Sequence, residues 1–292
     1  MSKWVLGVIG GSGLYEIDGL ENAQEVRVDT PWGAPSDTLI KGQVGDVDMI
    51  FLPRHGKGHR LTPTTVPYRA NIDALKRLGC TDVLSISACG SLQEQYAPGE
   101  FVMVDQFIDR TFAREKTFFG PGMVAHVSMA DPICARLSGL AGDAAEKVGA
   151  KVHRGGTYLT MEGPQFSSRA ESHLYRQWGC DVIGMTNMPE AKLAREAELP
   201  YATIAMVTDY DCWRTDTAAV EVTNVLEVMA ANTSKAKAAV AALAASLQGV
   251  ERTPSPQGID TCLDYALITA PEVRDPAVLA KLDAVAGRVL GR

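Results

Sequence analysis

The sequence predicts an α/β fold built on a sheet that is at least partly parallel. Apolar segments of strand length alternate along the chain with longer segments of helical periodicity, which is typical of such sheets. Of the 292 residues, 46% are hydrophobic and 22% are charged, enough for a substantial core. No composition change divides the first part of the chain, so we expect one domain over residues 1–249 and an extension over 250–292.

Seven apolar segments have the length and composition of buried strands. Glycine follows two of them closely: Gly10 ends the first and Gly90 follows the third. The segment over 101–108 alternates less clearly, and we expect it to be extended. The predicted strands cover residues 4–9, 47–52, 82–88, 101–108, 155–161, 181–185 and 201–208.

Six segments are predicted to be helical. Pro67 is tolerable only in the first turn of the first helix, and Gly79 should stop that helix. Ser168 and Glu171 form a capping-box pattern that should start the third helix. The predicted helices cover residues 65–78, 132–148, 168–178, 189–198, 220–247 and 278–290. One apolar face of the longest helix is formed by Val222, Val225, Leu226 and Met229.

Two segments are predicted to lie outside the regular elements. Residues 111–129 are rich in Gly, Pro, Phe and charge, and loops of that length are usually functional or disordered. After Gly249 the sequence Thr-Pro-Ser-Pro-Gln-Gly is typical of a linker. For the extension beyond it, covering the active site, serving an interface and being disordered all remain open.

Composition argues against several classes of function. The net charge is −7 and no basic run appears, so we expect no nucleic-acid partner. The six cysteines are widely spaced without a C-x-x-C pair, which favours reduced thiols in the cytoplasm over a zinc or disulfide scaffold. No apolar run has the length of a signal peptide or a membrane span, so we expect no membrane association.

Three predicted strand ends carry groups suited to one anion. The Gly-Gly-Ser-Gly turn around Ser12 can offer backbone N–H groups and a hydroxyl. Arg54 and His55 follow the second strand, and an arginine can hold a phosphate through two parallel hydrogen bonds. Small residues from Ser87 to Ser91 end the third strand. Each turn alone is equally consistent with a plain strand exit, and their coincidence indicates an anion site.

The first glycine turn also suggests an alternative, a Rossmann-type oxidoreductase that binds NAD. Its fingerprint G-x-G-x-x-G is only partly present, because Glu16 occupies the third glycine position. An acid there would oppose a pyrophosphate, so the sequence disfavours this alternative.

Two carboxylates, Asp209 and Asp211, follow the last predicted strand. If that strand continues, residues i and i+2 point the same way and both acids face one ligand. A turn rich in Asp is the competing interpretation, and for an isolated D-x-D it is the more common one. Phe166, after Glu162-Gly-Pro-Gln, can stack on a planar ring or serve as a helix staple.

Together these segments resemble a known family. G-G-S-G-L at 10–14, R-H-G at 54–56, A-C-G-S-L at 88–92, D-Q-F-I-D-R-T at 105–111, E-G-P-Q-F-S-S-R-A-E at 162–171, M-T at 185–186 and T-D-Y-D-C-W at 208–213 occur in this order. The set resembles the trimeric purine nucleoside phosphorylases, most closely their 5′-deoxy-5′-methylthioadenosine phosphorylase branch. The resemblance implies a single domain around a mixed, partly barrel-like sheet, a homotrimer, phosphate as co-substrate, and neither metal nor organic cofactor.

The resemblance also implies roles for individual residues. The phosphate site maps onto Ser12, Arg54, His55, Ser87, Ala88 and Thr186. The purine and ribose contacts map onto Ala88, Cys89, Phe166, Ser167, Met185, Asp209 and Asp211. The methylthio end maps onto His59, Val222, Val225 and Leu226, and His126 is expected to reach across the trimer interface.

Within this family we expect Asp209 to hold a proton at purine N7 and Asp211 to accept from a 6-amino group, since a carboxylate only accepts. The predicted activity is phosphorolysis of methylthioadenosine to adenine and 5-methylthioribose 1-phosphate. Rival interpretations are a broader purine nucleoside phosphorylase, acting on adenosine, inosine or methylthioinosine, and a nucleoside-binding module without catalysis.

Overall fold

The computed structural model describes residues 3–11, 14–214 and 222–291, with side chains from residue 227 onward in the last of these ranges. These residues form one α/β unit in which a mixed sheet is flanked by helices, as predicted. Its strands are β1 (Val5–Gly10), β2 (Glu21–Val26), β3 (Leu39–Val44), β4 (Val47–Pro53), β5 (Asp82–Ser91), β6 (Phe101–Met103), β7 (Gln106–Asp109), β8 (Val152–Arg154), β9 (Thr157–Thr160), β10 (Val182–Gly184) and β11 (Tyr201–Asp209).

The helices surround this sheet. They are α1 (Tyr68–Arg77), α2 (Ala135–Lys147), α3 (Arg169–Gln177), α4 (Asn187–Glu196), α5 (Val222–Leu247), α6 (Pro276–Lys281) and α7 (Gly287–Leu290). The predicted capping box is present: the Ser168 hydroxyl accepts from the N–H of Glu171, and the Glu171 carboxylate accepts from the N–H of Ser168. Within the described ranges, no helix is both long and apolar enough to cross a bilayer.

The sheet divides along β5, and this division opens the space for a ligand. On one edge β5 pairs with parallel β11 from Val83 to Gly90. On the other edge parallel β1 pairs only as far as Ser85, and antiparallel β10 joins at Gly90. Residues 86–89 are therefore left between the diverging strands. In the described part of the chain no pairing closes the strands into a complete barrel, so the sheet is mixed and open.

Several predicted elements have different bounds in the structure. The segment 101–108 is two strands, because β6 pairs with β11 and β8 whereas β7 pairs with β9. The first helix begins at Tyr68 and not at residue 65, since Pro67 is its N-cap. The terminal helix predicted over 278–290 is instead the two short helices α6 and α7, separated by a turn.

Three strands were missed from the sequence. β2 is almost entirely exposed and polar, so it lacks the apolar alternation that marks a strand. β8 has three residues, and β3 contains a glycine that weakens the strand signal. All three lie towards the sheet's margins or on a side branch, and none carries a predicted site residue.

The extension after residue 249 packs on the same core as the rest of the chain. Ile259, Leu263 and Leu282 are buried within the main hydrophobic cluster. The indole N–H of Trp4 donates to the carbonyl of Val250 at 2.9 Å, and Arg252 pairs with buried Asp82. The linker-like composition therefore belongs to an ordered coil held by polar contacts and apolar burial.

Candidate active site

A cleft of about 460 Å³ lies where β1 and β10 diverge from β5. Residues 86–90 of β5 line it, together with residues at the ends of β4, β10 and β11. Eleven of the predicted site residues line it: Arg54, His55, His59, Ser87, Ala88, Cys89, Phe166, Met185, Thr186, Asp209 and Asp211. The fold thus brings together strand ends that are far apart in the sequence.

Arg54 is buried at the end of β4, and Glu190 on α4 compensates its charge. Nε and Nη2 of Arg54 donate to the two oxygens of Glu190 at 2.7 and 2.9 Å. Nη2 also donates to the Ser85 hydroxyl at 2.6 Å, and Nη1 donates to the Ile86 carbonyl at 3.0 Å. The edge that would clamp a phosphate through two parallel bonds is therefore occupied by Glu190, and among the described residues one N–H of Nη1 has no acceptor.

His55, the next residue, is a neutral imidazole. Its Nδ1 lies 2.8 Å from the carbonyl of Leu61, which only accepts, so Nδ1 carries the proton. Burial, and then the charge of Arg54, lower the pKa of His55 to about 4. The His59 ring stacks on it, with 4.2 Å between the ring centroids. At neutral pH the remaining ring nitrogen, Nε2, is consequently a hydrogen-bond acceptor.

Hydroxyl groups complete this end of the cleft. The Ser87 hydroxyl lies 3.1 Å from the Thr186 hydroxyl and 3.2 Å from the hydroxyl of buried Tyr158. Gly184 is required here, because a Cβ at this position would collide with the Tyr158 hydroxyl. Since each hydroxyl can donate as well as accept, the group can turn donors towards an oxyanion.

Asp209 ends β11 at another side of the cleft. Its Oδ2 accepts from the Thr208 hydroxyl at 2.7 Å, and its Oδ1 accepts from the N–H of Asp211 at 2.8 Å. Burial raises the pKa of Asp209, and these two hydrogen bonds only partly oppose the rise. Gly90 allows the carboxylate to approach β5, because a Cβ there would come within 2.9 Å of Oδ1.

Asp211 reaches the cleft through a turn and not through strand alternation. The strand ends at Asp209, and Asp211 has φ +50°, in the left-handed region. Both acids thus line the cleft, and the geometry of Asp211 is closer to the competing turn interpretation. Burial and then the charge of Asp209 raise the pKa of Asp211, although the nearby hydroxyls of Ser172 and Ser167 lower it.

The Oδ2 atom of Asp211 is buried, and no group in the described ranges meets hydrogen-bond geometry with it, although the unpartnered hydroxyl of Ser172 is close enough to lower the pKa of Asp211. A buried acceptor without a donor costs about 1–3 kcal/mol, so this atom is suited to a ligand that brings an N–H group.

Apolar side chains form the remaining walls. Met161, Met185 and half-exposed Phe166 flank the cleft on one side, and Met206 and Met229 line it elsewhere. Thioethers and an aromatic ring suit a flat heterocycle and an apolar substituent. Met161, Thr208, Met229 and Thr233 were not predicted as site residues. Two of them had a sequence signal: Thr208 begins the T-D-Y-D-C-W motif, and Met229 belongs to the apolar face of α5.

A second buried ion pair supports the cleft from behind. Nε of Arg114, in the long loop before α2, donates to Glu162 at 3.0 Å. Its other nitrogens donate to the carbonyls of Met185 and Met188 at 2.7 Å and of Glu162. Through Arg114 the long loop therefore holds the backbone of two cleft-lining segments.

Six predicted site residues either do not line the cleft or have side chains outside the described ranges. Ser167 is beside Asp211 without lining the cleft. His126 does not line the cleft of its own chain, and its backbone N–H donates to the carbonyl of Ala266 at 2.9 Å. Ser12 lies outside the described residues, as do the side chains of Val222, Val225 and Leu226.

No group of three or more His, Cys, Asp or Glu side chains in the described part of the chain is arranged to hold a metal ion. Glu16, which interrupts the dinucleotide fingerprint, is paired with Lys237 at 2.9 Å on the surface and does not line the cleft.

Known proteins are similar to this chain in both sequence and fold. A profile of the phosphorylase superfamily matches residues 5–245. The S-methyl-5′-thioadenosine phosphorylase of Cereibacter sphaeroides is 63% identical over 288 residues, which cover 99% of both chains, so the similarity runs into the extension.

Solved structures agree with that similarity. A crystal structure of a methylthioadenosine phosphorylase from an antarctic soil metagenomic library is 45% identical, with a TM-score of 0.91 and coverage of 98% of this chain and 99% of that one. A mutant of the adenosine/methylthioadenosine phosphorylase of Schistosoma mansoni, in complex with adenine, is 42% identical, with a TM-score of 0.81 and coverage of 86% and 93%.

Proposed function

The chain belongs to the phosphorylase superfamily, and we propose that it cleaves the N-glycosidic bond of 5′-deoxy-5′-methylthioadenosine with phosphate. The products are adenine and 5-methylthioribose 1-phosphate, so the enzyme is a pentosyltransferase of purine and methionine salvage. The observation that carries the proposal is a cleft with an oxyanion-suited group of side chains at one side and two buried acids at another.

The oxyanion group is where we expect phosphate to bind. The free N–H of Arg54 and the hydroxyls of Ser87 and Thr186 supply donors. Ser12 and the backbone of Ala88 are expected to add to them. Phosphate held there attacks C1′ of the sugar, and its negative charge stabilises the oxocarbenium-like transition state.

The two acids serve the leaving base. Asp209, with its raised pKa, is suited to hold a proton against N7 as the purine departs with its bonding electrons. The unpartnered Oδ2 of Asp211 is suited to accept from the 6-amino group of adenine. Cys89 and Ser167 flank these acids, and Phe166 covers the base or the sugar.

The 5′ end of the substrate decides between methylthioadenosine and adenosine. Met229 and the expected face of Val222, Val225 and Leu226 favour an apolar methylthio group. The family resemblance implies that His59 lies at the same end of the substrate. The Schistosoma relative is named an adenosine/methylthioadenosine phosphorylase. A broader purine nucleoside phosphorylase is therefore the second candidate.

We further propose a cytoplasmic homotrimer that needs neither metal nor organic cofactor. The six cysteines, all in the described part of the chain, are free thiols, which favours a reducing compartment. The family resemblance implies that His126 contributes to the cleft of a neighbouring subunit. Its position outside the cleft of its own chain is consistent with that role. Sedimentation of the purified protein tests the trimer. Activity after dialysis against a chelator tests whether a metal ion is needed.

The deciding experiment incubates the protein with methylthioadenosine, with and without phosphate, and follows free adenine. We expect release only with phosphate. If no phosphate-dependent release occurs, the result would favour a nucleoside-binding module without catalysis. Repeating the assay with adenosine gives the ratio of kcat/KM values that separates the narrow from the broad specificity.

A further inference from the structure

The oxyanion side of the cleft carries little uncompensated positive charge. Four of the five N–H groups of Arg54 are used within the protein, and two of these bonds go to Glu190. The side chains of this pair are 3% and 2% exposed, so water does not weaken the compensation. Net charge alone therefore gives this side little means of distinguishing one tetrahedral oxyanion from another.

His55 supplies what charge does not, an acceptor of fixed position. The carbonyl of Leu61 holds the proton on Nδ1, and the stacked ring of His59 fixes the plane of the imidazole. The ring lines the cleft, and Nε2 is the nitrogen left for a ligand. An acceptor is useful only against an oxyanion that still carries a hydrogen.

The charged and titratable groups around the ring come from three elements. Arg54 at the end of β4 opposes protonation of the ring, and so does His59 in the following turn. Glu190 on α4 favours protonation but acts less strongly than Arg54. Burial acts in the same direction as Arg54, so the neutral acceptor form is the ground state of the site.

We propose that His55 Nε2 accepts a hydrogen bond from a protonated oxygen of the bound oxyanion, so that the cleft takes phosphate and arsenate in preference to sulfate. This inference rests on the proposed phosphorolysis and specifies which oxyanions the same site accepts. Phosphate and arsenate each keep at least one proton throughout the neutral range, whereas sulfate keeps none. Sulfate offers no hydrogen to Nε2, so it binds only together with a proton taken up by His55.

The test measures the inhibition constant of sulfate and the KM of phosphate between about pH 6 and pH 8. Because sulfate binding takes up one proton and binding of the phosphate dianion takes up none, we expect the inhibition constant of sulfate, divided by the KM for the phosphate dianion, to rise about tenfold for each pH unit. Arsenate should release adenine with a KM whose pH dependence parallels that of phosphate. A ratio that stays constant over this range would overturn the inference.

Two variants localise the effect. In His55→Gln the amide can donate or accept and does not titrate, so we expect the ratio to fall and its dependence on pH to disappear. His153→Gln replaces a histidine that pairs with Glu100 outside the cleft, and it should keep the dependence. If His55→Gln keeps it as well, His55 is not the acceptor. If no phosphate-dependent adenine release occurs in the wild-type protein, the proposed function fails, which is distinct from release with a flat sulfate ratio.

Discussion

The two functional sides of the cleft treat buried charge in opposite ways. At the oxyanion side the buried cation Arg54 is matched by Glu190, and the neighbouring imidazole is neutral. At the base side Asp209 and Asp211 stand one residue apart, their pKa values are raised, and the groups that donate to Asp209 are neutral.

This difference indicates how each side recognises its ligand. Where charge is compensated within the protein, recognition depends on the placement of donors and acceptors. Where charge is left uncompensated, the ligand or a bound proton must complete the site, because buried unpaired carboxylates are costly. The base side is therefore where we expect single substitutions to change catalysis most, and the oxyanion side is where they change stability.

The largest expected effect is the loss of kcat in the Asp209→Asn variant. The amide cannot hold a transferable proton at N7, so kcat with methylthioadenosine should fall by roughly 10²–10⁴-fold, the usual contribution of a general acid. Stopped assays of adenine release measure the loss. Asp211→Asn is the matched control, since it makes the same carboxyl-to-amide change two residues along the chain. Equal losses in the two variants would show that charge, and not proton donation, is what Asp209 contributes.

On the oxyanion side the corresponding change is Glu190→Gln. It leaves the buried guanidinium of Arg54 without its counter-ion, and breaking a buried pair costs about 3–5 kcal/mol of folding free energy. Chemical denaturation measures that loss. Glu146→Gln is the control, because the pair of Glu146 with Arg154 is similar in distance, 2.9 Å, but lies at the surface. Equal stability of the two variants would contradict the contrast drawn between the two sides.

Glu196 is a buried acid outside the cleft. It accepts from the Thr117 hydroxyl and the N–H of Phe118, both at 2.7 Å, and burial raises its pKa from 4.5 to about 7. The folded protein thus holds this proton more tightly than the unfolded chain does. Its contribution to stability is complete below about pH 4.5 and is lost as pH rises through about 7, a change of about 3 kcal/mol.

Glu196→Gln removes that titration. Between about pH 5 and pH 8 the wild type should lose unfolding free energy relative to the variant. Denaturation of both proteins at the two pH values measures this change. A constant difference would mean that Glu196 does not titrate in this window. The result also matters for the base side, because a raised pKa away from the cleft shows that burial alone does not identify a catalytic acid.

Much of the fold could be predicted from the sequence, because the apolar strands and the capped helix carry local signals. The capping box at Ser168 is one such case. What escaped prediction depends on tertiary pairing. The polar strand β2 exists through its partner β3, and the break within 101–108 arises because its two halves pair with different strands. Short-range patterns contain neither kind of information.

The candidate site was predicted as a set of strand ends, and the structure brings most of them into one cleft. The partners of those residues were not predictable. Glu190 lies 136 residues beyond Arg54, and only the folded chain reveals that it occupies the arginine's bidentate edge. Likewise, the left-handed turn that presents Asp211 depends on a hydrogen bond to Asp209 that a strand pattern does not contain.

The smallest expected effect, on base selectivity, is also the most specific test of the uncompensated side. In Asp211→Asn the side chain gains an N–H donor that can face a 6-oxo group, whereas the wild-type carboxylate can only accept. We expect the ratio of kcat/KM for methylthioadenosine over methylthioinosine to fall by the equivalent of about 1–3 kcal/mol. Ser167→Ala, which removes a hydroxyl near Asp211, should change both substrates alike. An unchanged ratio in Asp211→Asn would mean that the unpartnered Oδ2 does not read the 6-position, and the contrast between the two sides would then rest on Asp209 alone.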